Sequence, residues 1–111
     1  MVYDIGSVEV VTGRMQDALD WFKRFYGYMK KAYGLQTEWM RAVDPAPGQA
    51  YRILIISHYD SLAAWAAHKE KVAKDPERNK LVHEAYEEKP YLVVNTLTSS
   101  LYNVERPAPA G

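Results

Sequence analysis

The sequence predicts an α+β fold of ferredoxin-like order, β-α-β-β-α-(α)-β, with helices on one side of a four-stranded antiparallel sheet. Three observations carry this expectation. The apolar period switches between two and about 3.6 in that order along the chain. Residues 52–57, RILIIS, are too densely apolar for a strand with one wet face, so both faces should be covered. Immediately after them come two helix starts, first at Asp60-Ser61 and then at Asp75-Pro76, where Asp75 can cap and Pro76 can take the first helical position.

Residues 3–11 alternate loosely and stop at Thr12-Gly13, which ends a first strand. From Arg14 the spacing changes, with Met15, Leu19, Phe22, Tyr26, Met29 and Tyr33 three and four apart. A second stripe, Ala18, Trp21, Phe25, Tyr28 and Ala32, runs beside the first, and Gly34 stands where a left-handed residue would close the helix. A helix lying only on a sheet needs an apolar arc of roughly 100°. The surplus must therefore face a neighbouring helix, a partner subunit or a ligand. Gly27 inside this helix points to close packing or a bend.

Residues 36–43 read as the second strand, with Thr37, Trp39 and Arg41 on one face and Glu38, Met40 and Ala42 on the other. Asp44-Pro45-Ala46-Pro47-Gly48 is a loop by composition. After the third strand, Asp60 or Ser61 caps a helix reaching about residue 74, with Leu62, Trp65, Ala66, Val72 and Ala73 as its apolar stripe. A third helix runs from Pro76 to about residue 88 and turns Leu81, Val82, Ala85 and Tyr86 inward. Lys89-Pro90 stops it. Residues 91–104 alternate throughout and read as one last strand, far beyond the usual length of about five or six residues, so part of it is expected to pair outside its own sheet. The expected organisation is one domain over residues 1–104 and a flexible tail over 105–111.

Composition narrows the function classes. At 111 residues and 48% hydrophobic content the chain has material for one small core. Fourteen basic residues balance fourteen acidic ones, which gives no field toward phosphate and argues against a nucleic-acid partner. There is no cysteine, so thiolate catalysis and thiolate metal sites are excluded, and a cytoplasmic setting is expected. The acidic, alternating start MVYDIGSVEVV is neither a signal peptide nor a membrane span. Ile53 and Ile55 point to one face of the third strand while Leu54 and Ile56 point to the other, so the second face of the sheet also needs a cover. The simplest cover is the same face of a second copy, in a two-fold homodimer. RNA-recognition modules share the topology, but they need stacking aromatics and a basic motif on the third strand, which here reads YRILIISHY.

The order of elements, the helix with Ser61-Leu62-Ala63-Ala64-Trp65 and the following Ala73-Lys74-Asp75-Pro76-Glu77 resemble the dimeric α/β-barrel superfamily, in particular its NIPSNAP-like and antibiotic-biosynthesis-monooxygenase-like domains. The resemblance spans residues 2–104. It implies a homodimer whose sheets form a barrel, with a pocket in each subunit between sheet and helices. Cofactor-independent oxygenases of aromatic polyketides or quinols, haem-degrading enzymes and cyclases belong to that superfamily, as do many members of no known activity. Haem-degrading members use an asparagine on the first strand, a tryptophan on the second helix and an iron-ligating histidine soon after it. Trp65 stands at the tryptophan position, but residues 2–11 hold no asparagine, and Ala73, Lys74 and Asp75 occupy the histidine region. Haem chemistry is therefore not the expected activity.

His58, at the end of the third strand, is the one weak catalytic candidate; its plainer reading is a histidine hydrogen-bonded near the Asp60 cap. His68 reads as half-buried and His83 as a surface residue, and no pair has metal-ligand spacing, so no metal is expected. Trp21, Phe25, Tyr28, Trp39 and Trp65 are the aromatic set, with His68 beside them and Asn95 and Arg41 as polar groups able to orient a ligand. Each aromatic taken alone reads as core. Together they predict an apolar pocket of roughly 300 Å3 or more, binding and in one reading oxidising a small hydrophobic or aromatic molecule with no tightly held cofactor. A non-catalytic dimeric module, its aromatics all core and interface, is the alternative.

Overall fold

The computed structural model describes residues 1–105, so the expected tail lies outside the described residues beyond its first position. The elements are β1 (Val2–Glu9), α1 (Met15–Tyr33), β2 (Gln36–Arg41), β3 (Arg52–Tyr59), α2 (Leu62–Ala73), α3 (Pro76–His83) running into a π-helical turn (Glu84–Glu88), and β4 (Thr98–Asn103). The strands lie in the order β2-β3-β1-β4, every neighbour antiparallel, which is the ferredoxin-like arrangement. Among the described residues no helix is long and apolar enough to cross a membrane.

Register decides what each face of the sheet carries, because directly paired residues share a face. Asp4 pairs with Ser57, Gly6 with Ile55 and Val8 with Ile53, and these side chains meet the helices. Tyr3, Ile5 and Ser7 pair with His58, Ile56 and Leu54 on the opposite face. Met40 of β2 and Tyr102 of β4 join that second face, where Leu54, Met40 and Tyr102 are 39%, 41% and 53% exposed. Within one chain it is uncovered. Gly6 permits the approach of β4: a Cβ there would stand 2.0 Å from the Thr98 carbonyl oxygen.

α1 ends as its sequence suggests, at Gly34 with φ 68°, whose N–H donates to the Lys30 carbonyl at 2.8 Å. Its first stripe supplies the core with Phe22 and Met29, packed with Val8, Val10 and Ile53. The second stripe meets α3. The Trp21 indole N–H donates to the Leu81 carbonyl at 2.9 Å, and the Tyr28 hydroxyl donates to Asp75 Oδ2 at 2.6 Å. Gly27 is exposed with nothing within 4 Å of a Cβ position, so close packing does not explain it.

Ser61, rather than Asp60, caps α2, its hydroxyl accepting from the Ala64 N–H at 3.1 Å. The helix is rolled away from the expected stripe: Val72 is buried and Trp65 half-buried, while Leu62 is 58% exposed and Ala66 and Ala73 face solvent. Two contacts set that roll, the Trp65 indole on Asp4 and the His68 ring between Tyr33 and Tyr59. Asp75 caps α3 through Oδ1, which accepts from Glu77 N at 2.9 Å and Arg78 N at 3.2 Å, with Pro76 beginning the helix. The last strand is shorter than its alternation predicts. Residues 91–97 form no continuous ladder: Leu92 makes an isolated bridge to Val10, Asn95 takes φ 65°, and only Thr98–Asn103 pair with β1. The Thr96 hydroxyl donates to the Val93 carbonyl at 2.7 Å, closing a turn where alternation alone would continue the strand.

Candidate functional site

Between the helix-bearing face of the sheet and the three helices lies a cavity of about 190 Å3. Its apolar wall is built by α1. Trp21 and Phe25, one turn apart, stack with centroids 4.8 Å apart and planes 12° from parallel, and Tyr26 and Met29 continue the wall toward Val72 and Ile55. The volume is below the roughly 300 Å3 at which drug-sized pockets begin, and above the ~150 Å3 in which an apolar cavity takes up benzene. It is a space for one ring and a substituent.

The polar lining draws on β1, α1, β3, α2 and α3. Asp4, on the helix face of β1, accepts from the Trp65 indole N–H at 3.2 Å and from the Ser99 hydroxyl, and stands 3.6 Å from the Lys69 ammonium. Ser57 is tied to Thr37 by a hydroxyl–hydroxyl hydrogen bond of 2.9 Å. His68 is held neutral, burial and then the neighbouring Lys69 charge lowering its pKa below the ordinary imidazole value. Burial, with Asp4 behind it, pushes the Tyr59 phenol up to about 12, and burial likewise raises Tyr26 above the usual tyrosine range. Both phenols are therefore hydrogen-bond donors at neutral pH. Arg78, in the first turn of α3, donates through Nη1 to Asn79 Oδ1 at 3.0 Å, whereas its Nε is buried without a partner.

Of the residues singled out from sequence, Trp21, Phe25 and His68 line this cavity. Trp65 reaches it through its bond to Asp4. Trp39 lies behind the wall, stacked on Tyr26 at 5.6 Å and on Phe22 at 6.4 Å. Tyr28 is spent on Asp75. His58 is on the far face of the sheet, its ring 4.5 Å from that of Tyr3, Arg41 is exposed at the end of β2, and Asn95 borders a shallow depression beside His83 and Glu87. Asp4, Tyr26, Ser57, Tyr59 and Arg78 were not among the expected residues. Asp4 had a usable signal, an acid in phase with Gly6 and Val8 on an alternating strand; Arg78 had none, since a basic residue early in a helix is ordinarily solvated.

The model of the NIPSNAP family matches residues 3–99, from β1 into β4. The chain belongs to the NIPSNAP family. Solved structures place this NIPSNAP chain among others of the same fold. An uncharacterized NIPSNAP domain protein from Burkholderia xenovorans superposes with a TM-score of 0.78 at 15% identity, covering 99% of this chain and 100% of that one. A NIPSNAP family protein of unknown function from Agrobacterium tumefaciens gives 0.75 at 17% identity, over 98% and 92% of the two chains. A Deinococcus radiodurans protein described as a candidate antibiotic biosynthesis monooxygenase gives 0.68 at 12% identity, over 100% and 99%. No curated protein matches the NIPSNAP chain. At these identities the likeness is one of fold.

Proposed function

We propose that this NIPSNAP domain is a homodimer that binds a small apolar or aromatic molecule in the cavity beneath α1, with no tightly held cofactor. The observation that carries the reading is the Trp21–Phe25 stack, which walls a ring-sized space instead of filling it. The smaller volume restricts the ligand to about a single ring. Ligand-observed NMR of the purified chain with toluene tests it: saturable binding that shifts the Trp21 indole resonance is expected. Toluene leaving every resonance unmoved would instead support the non-catalytic module.

The homodimer is supported by the uncovered sheet face, where Ile5, Ile56, Leu54, Met40 and Tyr102 lie together. Light scattering should give twice the chain mass of 12.7 kDa at micromolar concentration, and a monomer mass refutes the dimer. Oxidation of the bound molecule is a second reading, favoured by the fold shared with the candidate antibiotic biosynthesis monooxygenase. It requires oxygen uptake with hydroquinone above the rate in protein-free buffer.

A further inference from the structure

We propose that the cavity selects a single-ring aromatic carboxylate, with Arg78 taking its anionic group. The inference rests on the cavity being a binding site and adds the charge of its ligand. Among the described lining residues the only carboxylate is Asp4, and it is already matched by Lys69, the Trp65 indole and the Ser99 hydroxyl. The guanidinium of Arg78 is not matched. It is half-buried, lines the same cavity, makes no ion pair among the described residues, spends Nη1 on the neutral Asn79 amide, and has no acceptor on Nε. A half-buried guanidinium with no carboxylate beside it can take one from a ligand, and a planar carboxylate offers acceptors in the geometry that the guanidinium N–H groups fit.

Size and shape agree with charge. A ring the size of benzene occupies a cavity of ~150 Å3, so the 190 Å3 here leaves room for one small planar substituent. The stacked Trp21 and Phe25 rings present an aromatic surface to the ring, and His68, held neutral, adds a polar group without competing for the anion. Positive charge thus stands at a position the apolar wall does not neutralise.

Calorimetric titration of the full chain with sodium benzoate and with benzyl alcohol separates the two readings. Benzoate is expected to bind about tenfold or more tightly than the uncharged alcohol, as a hydrogen bond to a charged group gives. Arg78→Gln is expected to remove that preference, weakening benzoate about tenfold while leaving benzyl alcohol within about twofold. Benzyl alcohol binding as tightly as benzoate overturns the charge selection and leaves the pocket reading intact, as does benzoate binding that survives Arg78→Gln. Binding of neither compound overturns both. The comparison of the two compounds on the unsubstituted chain stands even where the Arg78 variant melts early.

Discussion

Asp75 uses both of its oxygens. Oδ1 accepts from the Glu77 and Arg78 amides and starts α3, while Oδ2 accepts from the Tyr28 and Tyr33 hydroxyls at the end of α1. Those two phenol bonds, before the amides, hold its pKa down at about 2, against 3.8 for an ordinary aspartate. A carboxylate with a depressed folded pKa adds stability that is complete above the unfolded value and is lost as pH falls through the folded one. The urea midpoint should therefore fall between about pH 4 and pH 2 in the native chain, and fall less in Asp75→Asn, whose amide still caps a helix. Removing both phenols, Tyr28→Phe with Tyr33→Phe, should return the Asp75 carboxyl toward 3.8, read from its 13C shift. His68 has the opposite origin, since burial and then Lys69 lower it. The unfolded chain binds the proton more readily, so stability is complete above about 6.5 and declines as pH drops below that value. His68→Phe should flatten this step in the same urea series.

Two glycines separate what an element needs from what it tolerates. Gly6 lies where β4 crosses close to β1, and a methyl group there would meet the Thr98 carbonyl. Gly6→Ala should cost about 1–3 kcal/mol by denaturant unfolding, with amide-exchange protection lost first over Thr98–Asn103. Gly27 sits in an open stretch of α1, and Gly27→Ala should stabilise by about 1 kcal/mol, the helix-propensity difference. How legible an element was in the sequence follows the same local logic. Asp75-Pro76 and Gly34 act within a turn of themselves, and both helix ends could be read directly. Alternation overstates the last strand because YLVVNTLTSS keeps its pattern through a turn; the deciding residue is Asn95, whose side chain tolerates the left-handed backbone. The roll of α2 is hidden from the sequence, since it is set in part by Asp4 on β1 and Tyr33 on α1, both distant along the chain. The site divides likewise: Trp21 and Phe25 announce themselves by helical spacing, whereas Arg78 gains meaning only from what fails to meet it.

Across the whole molecule, β3 stands between the cavity and the proposed dimer face. Ile53, Ile55, Ser57 and Tyr59 look toward the helices; Leu54, Ile56 and His58 look the other way. Ile56→Asp should place a charge on the outer face alone, halving the scattering mass of the proposed dimer while leaving toluene uptake within about twofold. Ile55→Ala should do the reverse, altering uptake and costing about 2–5 kcal/mol of stability through the enlarged cavity, with the mass unchanged. The alternation makes residue parity an address: in β3 odd numbers report on the helix-covered face and even numbers on the uncovered one, and in β1 the assignment is reversed. Inserting one residue into either strand would exchange the two addresses at once. A lineage could therefore revise one face by point substitution with little effect on the other, but could not lengthen either strand by a single residue and keep both.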